Sequence, residues 1–174
     1  MDRSALIGAV LLAVLCTACW TDLTARRVPN WVTVSGMLLG VALHALQGLG
    51  PMAGSLLGVA FAFGVALPFF LSGVLGGGDA KLLMAVGAFF GPIDFLWAAL
   101  AIAVAGGVLA LAEAARQGML RSVLASCGRV LIGWATFGPR AGIGFGSRQP
   151  LSIPYGVAIA AGSGFWWFFG KSLV

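Results

Sequence analysis

Charge is what this sequence has least of. Only 9% of its 174 residues are charged, and only five are acidic. A soluble domain of this size carries roughly a quarter charged residues, so too few are present to cover a water-facing surface. With 60% hydrophobic residues and a mean hydropathy of +1.04, the chain reads as an integral membrane protein. Cysteine is scarce too. Cys16, Cys19 and Cys127 make no disulfide framework. Cys16 and Cys19 form a CxxC, but a structural zinc takes four ligands and only Cys127 and His44 remain to complete a set. The pair lies in an apolar run and reads as two small membrane-helix residues, so no metal and no cofactor is expected. His44 is the only histidine, which leaves no support for a histidine-activated nucleophile. The net charge of +5 suggests nucleic acid, yet the basic residues stand singly or in pairs between apolar segments. Loops beside membrane spans are built that way, so the expected partner is the lipid bilayer and not nucleic acid.

The apolar runs predict an all-α, polytopic membrane protein with six transmembrane helices in a single domain, residues 1–174. The stretch Met1 to Ala18 has the makings of a signal peptide, but the topology needs it as part of a first span from Ser4 to Trp20. Pro29 disfavours helix at Val28, and Asn30 is placed to cap a second helix from Trp31 to Leu46. A short turn, Gln47 to Pro51, forces an antiparallel return into a third helix, Met52 to Val74, kinked at Pro68. The next apolar run is short. From Asp79 it meets Gly91-Pro92 after about 12 residues, roughly 18 Å of helix against a hydrocarbon core of about 30 Å. A fifth helix follows from Phe95 to Ala115. Between Arg116 and Pro150 stand five arginines, including Arg129 in the most apolar part. A central arginine costs a spanning helix about 2.5–3.5 kcal/mol, so this stretch is expected to lie at the interface against anionic headgroups. The sixth helix, Ile153 to Phe169, ends in five aromatic residues suited to an interface belt.

Six spans put Arg26, Arg27, Lys81 and the five arginines of 116–150 on one side, with only Arg3 and Lys171 opposite. The basic side is expected to be cytoplasmic. Asp22 and Asp79 share it, whereas Asp94 falls on the other. Asp79 stands in Gly76-Gly77-Gly78-Asp79-Ala80-Lys81, a carboxylate at a glycine-rich break between two apolar runs. An ionisable residue inside or beside a bilayer is a functional candidate by default. Two neighbouring aspartates have a known competence: one ionised carboxylate takes a proton from water while its protonated partner polarises a peptide carbonyl and later serves the leaving amine. The glycines form either a flexible turn or an approach for a substrate backbone. Asp22 either joins Asp79 or pairs with Arg26 or Arg27. Lys81 either tunes Asp79 or extends its ammonium to the headgroups. Carboxylates beside a broken helix also suit ion coupling, so a small ion-coupled transporter is the alternative, and a non-catalytic scaffold a third reading.

Three stretches carry a resemblance. Asp22 is followed by Arg26-Arg27-Val28-Pro29-Asn30; Gly76 to Lys81 reads as GxGDxK; and Pro154-Tyr155-Gly156-Val157-Ala158 opens the last helix. In this order they resemble the type IV prepilin peptidases, the GxGD class of membrane aspartyl proteases. The resemblance implies a hydrolase with Asp22 and Asp79 as catalytic residues. Gly76, Gly78, Lys81, Pro29, Asn30, Pro154, Tyr155 and Gly156 are implied as supporting residues. It implies removal of the short basic leader of prepilin-like precursors at the cytoplasmic face of the bacterial inner membrane. Larger members insert a cytoplasmic domain with two CxxC pairs between the first two helices, associated with N-methylation. Here about ten cysteine-free residues join them, similar to the short enzymes of Flp/Tad-type pili, which implies peptidase without methyltransferase. The presenilin-like branch matches less well, since the only tyrosine is Tyr155 and no PAL element follows. Pro154 and Gly156 either shape the site or start the last helix and let it pack, as the small-xxx-small pair Ala158 and Gly162 also allows.

Overall fold

The computed structural model describes residues 3–118, 120, 125 and 155–170. By contact the chain divides into two units, Met1–Gly106 with Pro154–Val174, and Gly107–Ile153. Five helices form among the described residues: α1 (Arg3–Ala25), α2 (Asn30–Ala45), α3 (Leu49–Leu71), α4 (Gly77–Arg116) and α5 (Tyr155–Phe169). Three helices are long and apolar enough to cross a membrane, over Ser4–Ala25, Leu49–Leu71 and Gly77–Arg116. The described residues are therefore those of an all-helical, multi-pass membrane protein. The expected interfacial segment lies outside the described residues beyond Gly118, apart from Leu120 and Ala125.

Among the described residues five helices are counted where six were expected, and the difference lies at one joint. The fourth and fifth expected helices are one run, α4, broken only at Gly91 with φ 75° and ψ 179°. The reason is local. Gly91 enters a left-handed conformation without a Cβ penalty, and Pro92, which lacks an N–H, is tolerated at the first position of the segment that follows. One residue thus redirects the chain where a loop was expected. The first segment, 77–90, is about 21 Å long, short of the hydrocarbon core of about 30 Å.

That short segment is central to the first unit. Leu82, Ala85, Val86, Ala88 and Phe89 are all buried. On one side α2 reaches it through glycine: a side chain on Gly36 would meet Val14 of α1 and Ala85, and one on Gly40 would meet Ala88. On another, α3 presents a buried stripe of Ser55, Gly58, Ala62 and Ala66. Gly58 and Gly87 bring the two backbones together, and the Ser55 hydroxyl donates to the Ala88 carbonyl at 2.6 Å. Small residues inside and large ones such as Leu38, Leu57, Phe63 and Leu100 outside is the arrangement a lipid solvent favours, because close backbone packing replaces the hydrophobic drive. The helix α5 packs along α1 and meets α4 at Gly162, which lies against Ile102.

Two ends differ from expectation. α1 continues to Ala25, five residues past Trp20, and carries Asp22 on its last turn. Thr21 and Thr24 hold this extension by donating their hydroxyls to the carbonyls of Thr17 and Trp20, at 3.0 and 2.8 Å. It stops at Arg26, whose φ of 50° is left-handed. Asn30 is not the cap of α2. It is the first helical residue, Pro29 occupies the capping position, and no side chain caps the helix. In the second unit, the end of α4 is tied by Glu113, which accepts from Gln117 Nε2 at 2.8 Å and lies 3.7 Å from Arg116.

Candidate active site

Four helix ends meet where the candidate residues stand. Asp22 comes from the C-terminal turn of α1, Asp79 from the first turn of α4, and Tyr155 and Gly156 from the first turn of α5. The loop into α2 supplies Val28, Pro29 and Asn30. Asp22 and Asp79 are 57 positions apart in the chain, yet close enough in space for the charge of Asp22 to act on Asp79. Asp79 in turn acts on the half-buried Tyr155 hydroxyl.

Asp22 is 7% exposed. Its Oδ2 accepts the Gly156 backbone N–H at 2.8 Å, across 134 residues of sequence. A first-turn amide at a helix N-terminus is a natural anion donor, since those N–H groups have no partner within the helix. Only glycine fits there. A Cβ at position 156 would stand 2.8 Å from Oδ2 of Asp22, 3.0 Å from its Cβ and 3.1 Å from its Cγ. Gly156 is thus more than a packing residue, because its amide orients a carboxylate.

Asp79 is held from its own chain. The Gly76 backbone N–H donates to its carboxylate, and a Cβ on Gly76 would lie 2.9 Å from Oδ2. Gly78 serves a different contact. A Cβ there would meet the Val28 carbonyl oxygen at 3.0 Å and the Val28 side chain at 3.4 Å. Val28 is buried, so the loop after Asp22 is seated directly on the start of α4. Lys81 closes the same junction from outside, donating from Nζ to Asn30 Oδ1 at 2.8 Å. Its ammonium is therefore engaged by Asn30, an option neither sequence reading of Lys81 contained. Pro29 continues the loop with an extended ψ of 145°. Pro154 lies outside the described residues.

The residue that sequence reasoning overlooked is Val28. Its place in the motif was visible, but an apolar residue in an apolar chain gives no signal that it seats one loop on another. His44 and Asp94 lie elsewhere, near the opposite ends of these helices. Among the described residues no three His, Cys, Asp or Glu side chains gather as a metal site. What the geometry offers is two carboxylates at one end of the helices, near enough for one charge to act on the other, each bonded by a backbone amide, with a tyrosine hydroxyl and an exposed glycine loop at the same end. Such a pair is competent to activate a water and to exchange protons with a bound amide.

No curated protein and no solved structure among those compared matches the chain. Residues 9–112, which include both aspartates and most of four helices, match the type IV leader peptidase family. That match spans well over half of the chain and agrees with a multi-pass membrane protein. The chain belongs to the type IV leader peptidase family.

Proposed function

We propose that this peptidase removes the basic leader of prepilin-like precursors by activating a water between Asp22 and Asp79. The observation that supports the reading is that these two carboxylates, each bonded by a glycine amide and both within the matched family region, stand near enough for the charge of one to act on the other. One ionised carboxylate takes a proton from water as the oxygen attacks the scissile carbonyl carbon. Its protonated neighbour gives a proton to the carbonyl oxygen. Collapse of the resulting diol breaks the C–N bond. The proton taken from water goes to the leaving amine, and the diol hydroxyl returns the other, restoring the pair.

Arg26, Arg27 and Lys81 flank this end of the helices, which supports a cytoplasmic face of a bacterial inner membrane. There a precursor presents its charged leader before its apolar helix. The exposed Gly76 and Gly77 offer an extended backbone close access to Asp79. Only four residues, 26–29, separate α1 from α2. That favours the short GxGD enzymes of Flp-type pilus secretion systems, with peptidase and no methyltransferase activity. The bilayer is the expected surrounding of the other faces, and nucleic acid has no part in the scheme.

The test is leader removal from a prepilin-like substrate co-expressed with wild type, Asp22→Asn or Asp79→Asn. Both substitutions should abolish cleavage at normal protein levels. Cleavage retained by either one refutes the dyad. Absent cleavage combined with aspartate-dependent ion flux would instead favour a transporter.

A further inference from the structure

At the end of the helices away from Asp22, a cleft of about 240 Å³ opens between α1, α2, α4 and α5. Its polar lining is Asp94, His44, Gln47 and Ser4. Ile7 and four rings complete the described lining: Phe89 and Phe90 before the break at Gly91, and Trp166 and Trp167 near the end of α5. Among the described residues no lysine or arginine lines it.

Three observations define what it suits. First, Asp94 makes no hydrogen bond or ion pair among the described residues, although it stands at the third position after Gly91 where a carboxylate could have capped the new segment. Second, His44 Nδ1 lies 2.8 Å from the Gly40 carbonyl and must donate to it. In the neutral ring Nε2 is then an acceptor, and the Gln47 carbonyl and Ser4 hydroxyl add further acceptors. Third, the rings are anchored rather than loose. Trp167 is tilted at 5.8 Å from Phe90 and seated on Gly8, while Trp166 stacks on Trp97 at 5.9 Å. A carboxylate, uncharged acceptors and fixed aromatic rings, with no cation among the described lining residues, are the chemistry of an ammonium site.

Depth supports a ligand at the membrane surface. Ser4 precedes Asp22 by 18 positions on α1, about 27 Å along the helix, close to a hydrocarbon thickness of about 30 Å. The cleft therefore lies at headgroup level of the leaflet opposite the aspartate pair. We propose that it binds an organic primary ammonium, presented by an ethanolamine phospholipid headgroup or by a free amine. The proposal is independent of the peptidase reading, because Asp94 takes no part in the site at the other end.

The full-length protein, in detergent with defined lipid, tests this. Native mass spectrometry should find phosphatidylethanolamine retained at least tenfold over phosphatidylglycerol by wild type. Asp94→Asn should lose that preference and Asp94→Glu should restore most of it. Since Asp94 is exposed, these variants should keep the wild-type melting temperature. Free ethanolamine forms the second arm. Displacement of the lipid by millimolar ethanolamine supports the ammonium as the recognised group, with lipid as its source. A thermal shift with ethanolamine that Asp94→Asn abolishes, without lipid preference, supports a free amine as the source. Equal retention of both lipids together with no ethanolamine shift overturns the site, and so does a lipid preference unchanged in Asp94→Asn.

Discussion

Replacing Gly156 by alanine tests the junction between α5 and Asp22 with a single carbon atom. The new Cβ would sit 2.8 Å from Asp22 Oδ2, and ordinary van der Waals contact begins near 3.4 Å. Helix and carboxylate must therefore part by about 0.6 Å, or the carboxylate must turn away. Either movement stretches the Gly156 N–H bond from 2.8 Å to about 3.4 Å, outside the usual range for N–H···O. A hydrogen bond to a charged group is worth about 1.5–3 kcal/mol. If that orientation matters fully in the transition state, cleavage slows about 10- to 150-fold. The assay is the rate of leader removal by purified wild type, Gly156→Ala and Gly164→Ala at equal concentration, with melting temperatures in the same detergent. Gly164 is on the same helix, and a Cβ added there would have nothing within 4 Å. Alanine at that position should keep the wild-type rate and gain up to about 1 kcal/mol of helix propensity. A Gly156→Ala enzyme that cleaves at the wild-type rate would refute the claim that this amide orients Asp22.

Two other outcomes follow from the packing. Asn30→Ala and Lys81→Met each remove the same exposed hydrogen bond. Each should cost about 0.5–1.5 kcal/mol or less, and the double variant should cost no more than either alone when followed by thermal unfolding. Strictly additive losses would mean that the two side chains act separately. Gly87→Ala is expected to be severe, because its Cβ would meet the Gly58 carbonyl and stand 2.8 Å from the Ala62 Cβ. Overpacking of this kind costs about 1–3 kcal/mol, whereas Gly54→Ala, in open space on α3, should leave the melting temperature unchanged or raise it.

The sequence by itself determined the membrane class, the helical content and the interruption at Gly91-Pro92. Hydropathy is summed over a window, and a glycine-proline step acts on its own backbone, so both are legible without knowing any neighbour. Alternation of spans also allowed Asp22 and Asp79 to be considered as residues of one end. What the sequence reading misjudged, it misjudged at boundaries. It ended the first helix at Trp20, because polar Thr21 and Asp22 resemble a loop, yet threonine hydroxyls can bond back to the preceding turn and extend a helix. It assigned Asn30 to a cap, a local role, when Lys81 claims that side chain from 51 residues away. Only the tertiary structure could decide that the Gly156 amide serves Asp22, that Gly78 makes room for Val28, and that Asp94 faces an aromatic cleft. Each depends on how closely two helix ends approach, a matter of tenths of an ångström between atoms far apart in the chain, and composition and periodicity carry no such distance.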